Sequence, residues 1–113
     1  MTAIRLSHET SDDLVVITVA GSVDFRTAPQ LRELARSITE ENIAPLVIDL
    51  DGVTFLDNVG VGVLVGAMKR QEARGSQFAI ACTAEPVLRV LRTMGLLGRM
   101  GVRGSVDEAG VRP

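Results

Sequence analysis

Residues 56–75, LDNVGVGVLVGAMKRQEARG, decide the fold. Val59, Val61, Val63 and Val65 alternate strictly, which by period alone describes a strand. Against that, Asn58 is a favourable helix N-cap, and 69–74 (KRQEAR) is strong helix-forming sequence that stops at Gly75. Glycines at 60, 62 and 66 would also weaken a strand of this length. The segment reads as a helix. On a 100° wheel Val61, Leu64, Val65 and Met68 converge on one face, the expected core side. The opposite face carries Val59, Gly62, Val63, Gly66 and Arg70. Glycine costs about 1 kcal/mol in a helix interior and a bare valine gains nothing from water, so this strip needs a reason. Small residues let another backbone approach closely, which makes the strip a candidate docking surface. The competing reading is that a second layer of the same domain covers it.

Working outward, Ile4–Glu9 and Leu14–Ala20 are strand candidates. The turn residues Ser11-Asp12-Asp13 between them predict an antiparallel hairpin, with Gly21 ending the second strand. Thr27-x-x-Gln30 has the pattern of a capping box, with Pro29 in the first turn. Leu31, Leu34, Ala35 and Ile38 form one apolar stripe, so a helix should run to about Glu41 and stop before Pro45. Leu46–Leu50 is a central strand and Asp51-Gly52 a turn. After the decisive helix come a strand, Gln77–Cys82, and a helix opened by Thr83–Glu85 with Pro86. Its inward face is Val87, Val90, Leu91 and Met94, and Gly95-Leu96 is its cap. A short strand near Arg99–Arg103 and one capped turn, Ser105–Ala109, complete the chain. The order ββαβαβαβ means an α/β layer fold: a mixed sheet of about five strands, opening with an antiparallel hairpin, with three to four helices packed on it. All 113 residues form one expected domain, with its core over about 4–103 and a short tail, 104–113.

Composition narrows the function. The 113 residues are 46% hydrophobic and 23% charged, ordinary for a folded domain. No apolar run reaches the ~18 residues of a membrane helix, and MTAIRLSHET lacks a secretory apolar region, so a cytoplasmic location is expected. With no Trp or Tyr, three Phe and a formal charge of −2, the chain offers neither stacking surface nor basic field for nucleic acid. One cysteine and one histidine make a disulfide, a metal site and a Cys/His catalytic pair poor readings. Cys82 ends an apolar strand and reads as a small buried hydrophobe; His8 reads as solvated. Nothing pairs a nucleophile with a base, so neither an enzyme nor a cofactor is expected. Gly60-x-Gly62 is too short for a dinucleotide loop, because Val65 holds the third glycine position. Asp49, Asp51 and Asp57 suggest a receiver domain, but only Ser11–Asp13 separates the first two strands where a receiver has a helix. Asp51 is then turn chemistry with Gly52, and Asp57 orients the loop at the helix start.

Asp57-Asn58-Val59-Gly60-Val61-Gly62, preceded by Phe55-Leu56, resembles the D-S-x-G-x-G signature of bacterial anti-sigma factor antagonists, the STAS-domain family. Gly21-Ser22-Val23-Asp24-x-x-Thr27-Ala28 resembles the family's G-x-[LV]-D-x-x-T-A. Arg89-Val90-Leu91 with Met94-Gly95-Leu96 resembles its late helix and turn. The resemblance implies a STAS-like fold and a role as antagonist: the protein binds an anti-sigma factor, commonly a GHKL-type serine kinase, and so frees a sigma factor for transcription. In the family the kinase phosphorylates the serine after the motif aspartate, and the phosphorylated protein lets go. Here that serine falls on Asn58 and the next position is Val59, so neither carries a hydroxyl, and Thr54 is the nearest one. Asn58 is expected to keep the N-cap bond and to imitate the unphosphorylated form. Together the strip and the resemblance make Asp24, Asp57, Asn58, Val59, Gly60, Gly62, Val63 and Gly66 the expected partner-binding residues. The final family helix is shortened to 105–109. The rival function is a STAS subunit of a transport or stress-sensing assembly, acting as a structural or ligand-sensing part.

Overall fold

The computed structural model describes residues 3–11, 13–41 and 44–109. Strands β1 (Ile4–Ser11) and β2 (Leu14–Val23) pair antiparallel, closing over a two-residue loop at Ser11 and Leu14. Asp12, part of the expected turn, lies outside the described residues. Helix α1 (Ala28–Glu41), strand β3 (Leu46–Leu56), helix α2 (Asn58–Ala73), β4 (Phe78–Ala81), α3 (Glu85–Thr93), β5 (Val102–Arg103) and α4 (Val106–Ala109) follow. The strands lie in the order β1-β2-β3-β4-β5, parallel from β2 onward. This is the expected mixed sheet. Val15, Ile17 and Val19 of β2, Leu46, Ile48 and Leu50 of β3 and Ile80 of β4 form its buried face, joined in one core with Leu31, Ala35, Ile38, Leu64 and Met68 of α1 and α2. Val47 and Ala79 face the other way, into an open groove that Arg103 and Ala109 also line.

Several sequence expectations fail for local reasons. Gly21 does not end β2. It sits inside the strand at φ +96°, where a side chain would strike the Ala3 carbonyl oxygen, and the β2–β3 register shifts beside it. Asp51-Gly52 is not a turn either. β3 runs on to Leu56, Gly52 lies opposite Ala20, and Asp51 reaches sideways to accept hydrogen bonds from the Thr83 amide (2.5 Å) and hydroxyl (3.1 Å). Thr27 caps nothing at Gln30: its hydroxyl oxygen accepts from the Asp24 amide at 3.0 Å while the O–H donates back to the Ser22 carbonyl at 2.7 Å. Met94 falls beyond the last turn of α3 and is exposed, whereas Gly95-Leu96 closes that helix through Leu96 N–H to Leu91 O at 2.8 Å. Around α4 the Ser105 hydroxyl accepts from Glu108 N–H, the cap its sequence predicts, and the Glu108 carboxylate accepts from Gly104 N–H, one residue before it.

One polar residue ties the layers together. Gln71 of α2 is 1% exposed. Its amide nitrogen donates to the Ala44 carbonyl (3.2 Å) and the Gln77 carbonyl (2.9 Å), and its oxygen accepts from the Thr39 hydroxyl of α1 (2.8 Å). It thus adds a buried donor to the Ala44 carbonyl and to the Gln77 carbonyl, which also accepts from Leu46 N–H at 3.0 Å, and bonds α2 to α1. Gln71→Leu keeps the volume and removes all three bonds from a buried site. The variant should lose about 2–4 kcal/mol of unfolding free energy in urea denaturation, at an unchanged slope.

Candidate functional site

The site is built at the end of β3, where the chain turns into α2. Asp57 holds it. The Asp57 Oδ1 accepts from Gly60 N–H at 2.9 Å, Oδ2 accepts from Phe25 N–H at 3.0 Å, and the Asp57 amide donates to the Val23 carbonyl at 3.2 Å. One carboxylate therefore caps α2 and fastens the β2–α1 loop to it. This corrects the expectation that Asn58 is the N-cap. Asp57 takes that place with extended backbone (φ −104°, ψ −176°), and Asn58 becomes the first helical residue, its side chain exposed and without a capping bond.

Asp24 organises the facing loop. Its Oδ1 accepts from the Arg26 amide (2.9 Å) and the Thr27 amide (3.1 Å), while the Asp24 amide donates to the Thr27 hydroxyl (3.0 Å). Asp24 is 8% exposed, and its bonds position the loop. The Arg26 N–H bond, then those of Thr27 and the Arg26 charge, opposed by partial burial, hold its carboxyl below the usual carboxylate range.

Gly60 is buried too. A Cβ there would lie 2.6 Å from Leu56 Cδ1 and 2.9 Å from the Val23 carbonyl oxygen, so glycine lets the first turn of α2 rest on the strand ends. Val63, expected on the outer strip, is 5% exposed. The buried arc of α2 is wider than a single stripe because the helix packs on the sheet and against α1 at once, so it takes in Gly60, Val63, Ala67 and Gln71. Of the strip, the domain itself covers Val63 fully and Gly66 and Arg70 in part. What stays outside is a narrower lane: Asn58, Val59 (44% exposed), Gly62, with nothing within 4 Å of its Cβ position, and half-buried Gly66. Two residues join it that periodicity did not single out. Phe25 is 66% and Phe55 51% exposed, one on the loop pinned by Asp57 and the other two residues before it. Arg26 lies over the Phe25 ring, 5.7 Å from its centre. The signal was present in the sequence: two of the three phenylalanines flank the two acidic motifs and sit outside every apolar stripe. Among the described residues no group of three His, Cys, Asp or Glu could hold a metal ion, and no helix is long and apolar enough to cross a membrane.

A carboxylate-tied loop, a helix with no acidic residue in its first turn and an exposed apolar rim thus meet at one end of the domain. The STAS-domain family model matches residues 5–109, and the chain belongs to that family. An anti-sigma-B factor antagonist of Listeria monocytogenes is 33% identical over 88 residues, 78% of this chain and 77% of its own. One from Staphylococcus aureus is 23% identical over 104 residues, covering 92% and 96%. The crystal structure of an anti-sigma factor antagonist from Mycobacterium paratuberculosis superposes with a TM-score of 0.87 at 26% identity, covering 95% of this chain and 91% of that one.

Two predictions follow from the geometry. Asp57→Ala should cost about 1–2 kcal/mol of stability as a lost cap. Asn58→Ala should change stability by less than ~0.5 kcal/mol, and urea denaturation of both variants would show the order reversed if Asn58 carried the cap. The Asp24 carboxyl has a lower pKa folded than unfolded, so its contribution is present above the ordinary carboxylate pKa and is lost as pH falls through the folded value. Wild type should lose more stability than Asp24→Asn on going from neutral to strongly acidic pH in parallel denaturant titrations.

Proposed function

We propose that this protein is an anti-sigma factor antagonist, docking through the start of α2 and the β2–α1 loop, whose contact is not switched by phosphate at position 58. The observation that carries the reading is Asn58 itself. It stands exposed at the first position of α2, where the family serine falls, among exposed Phe25, Phe55 and Val59. Its side chain has no oxygen nucleophile to accept a phosphoryl group and bears no charge. A phosphate at that place would add roughly two negative charges, tolerable to the fold at a helix N-terminus and disruptive to a dry contact. Exposed aromatic side chains favour burial by about 1.5–3 kcal/mol each and are typical anchors of an interface. The names of the Listeria and Staphylococcus relatives support the antagonist role. The partner is then an anti-sigma factor, of the GHKL-type serine kinase kind, met in the cytoplasm, and the chain supplies no catalysis of its own.

The test uses the anti-sigma kinase captured by the wild-type protein and identified by its own sigma-factor binding. Capture of membrane ATPase subunits instead would favour the rival role in a transport or stress-sensing assembly. Wild type incubated with the kinase and ATP should gain no phosphate within residues 54–62 by mass spectrometry, Thr54 included. Asn58→Ser should bind about as well and become phosphorylated. Asn58→Asp should bind more weakly by about 1–3 kcal/mol, since a second carboxylate beside Asp57 must be desolvated by the partner. Phe25→Ala and Gly62→Glu should each weaken binding at unchanged thermal stability. Val63→Asp tests the fold and not the contact, because Val63 is buried. Tight binding by Asn58→Asp would contradict a contact at this helix end.

A further inference from the structure

Farther along α2, Arg70 is half-buried and its guanidinium folds back over Gly66, whose Cβ position lies 3.6 Å from Nη1. Nε and Nη2 are buried and have no hydrogen-bond acceptor among the described residues. These two N–H groups share one edge of the guanidinium, the edge that receives a carboxylate through two parallel hydrogen bonds. The charges around it do not help. Arg36 of α1 is held by Glu33 at 2.6 Å and faces Glu40 at 3.9 Å, so both glutamates are engaged. Arg32 and Arg70 have no carboxylate partner among the described residues. Burial first, then Arg36 and Arg32, hold the Arg70 pKa below the usual arginine range, against a weaker pull from Glu40; the group stays charged. The seam between α1 and α2 is thus a place of positive charge with two strong donors unused. Beside it runs the open lane of Gly62, where another chain can approach closely.

We propose that Arg70 is a carboxylate socket: on docking it turns its Nε/Nη2 edge out of the α1–α2 seam, over the Gly66–Gly62 lane, and holds an Asp or Glu side chain of a protein partner. The cost of the inward rotamer favours this exchange, since a buried donor without an acceptor gains whatever acceptor reaches it. Arg32 across the seam adds attraction for the same acidic segment. That the partner is an anti-sigma factor rests on the function proposed above; the socket does not.

The experiment is an NMR titration of the full chain at mildly acidic pH, reading the Arg70 Nε–Hε resonance, assigned by its absence in Arg70→Met, and the amides of Gly62 and Gly66. The probes are a four-residue peptide with two central glutamates, its two-glutamine counterpart, and sodium phosphate at matched ionic strength. The glutamate peptide should shift all three signals saturably, at least fivefold more than either control, and Arg70→Met should abolish the response at Gly62 and Gly66. An unmoved Hε signal, or an equal response to the glutamine peptide or to phosphate, overturns the carboxylate socket. Arg70→Met should also melt no lower than wild type, because the apolar stem still fills the seam and the unpaired donors are gone. A melting point lower by more than about 4 °C shows that the fork is satisfied internally, and also overturns it. No anti-sigma factor enters this titration, so its failure leaves the antagonist reading standing, and a failed capture of a sigma regulator leaves the socket standing.

Discussion

The Asp57 carboxylate is the point on which the working end of the molecule depends. The core would form without it, because Val15, Ile17, Ile48, Leu50 and Leu64 bury a continuous apolar interior whatever the loops do. Where α2 begins, and what stands next to its first turn, is another matter. Oδ1 fixes the start of the helix at Gly60 N–H, Oδ2 fixes the β2–α1 loop at Phe25 N–H, and the Asp57 amide fixes both to the end of β2. Two segments distant in sequence, 23–25 and 57–60, meet at one residue. Asn58 and Phe25 are presented together because of it, and Asp24 with Thr27 makes the presented loop rigid. An apolar rim held this way loses little conformational freedom on binding, which leaves more of its burial free energy for the contact.

The rest of α2 is positioned from the inside. Gln71 locks the helix to α1 and to the chain before β4, and Gly60 lets its first turn settle on Leu56 and Val23. Between these two anchors the residues on the outer side of the helix are set: Asn58, Val59, Gly62 and half-buried Gly66, ending at Arg70, whose Nε/Nη2 edge meets no acceptor among the described residues. The exposed lane is narrow because α1 claims a share of the helix. It runs from a neutral, apolar end at Asn58 to a positive one at Arg70, which gives a partner lying along it a direction.

Most of the fold was legible in the sequence, because the helical stripe of α1 and the apolar runs of β2 and β3 are strong periodic signals, and α2 declares itself by the helix-forming residues 69–74. The failures share a cause: each sits where a tertiary contact overrides a local preference. Asp51-Gly52 has turn chemistry, yet pairing with Ala20 and the bond to Thr83 keep it extended. Asn58 has cap chemistry, yet Asp57 takes the cap because its second oxygen also has a donor waiting on another loop. A wheel drawn for α2 alone placed Val63 outside, because a helical wheel knows one neighbour and α2 has two. The candidate site was legible as a location, through its acidic and glycine motifs. Its apolar rim was marked only by Phe25 and Phe55 standing outside every apolar stripe, and pairing of β2 with β3 brings the two motifs to one end of the sheet.

The central claim is that the end of the domain organised by Asp57 is the partner's contact surface. Hydrogen–deuterium exchange of the chain, alone and bound to its anti-sigma factor, tests it directly. Exchange should slow only within residues 24–27 and 55–66, with β1 and α4 unchanged. Protection along β1 or around α4, with 55–66 exchanging as in the free protein, would contradict it.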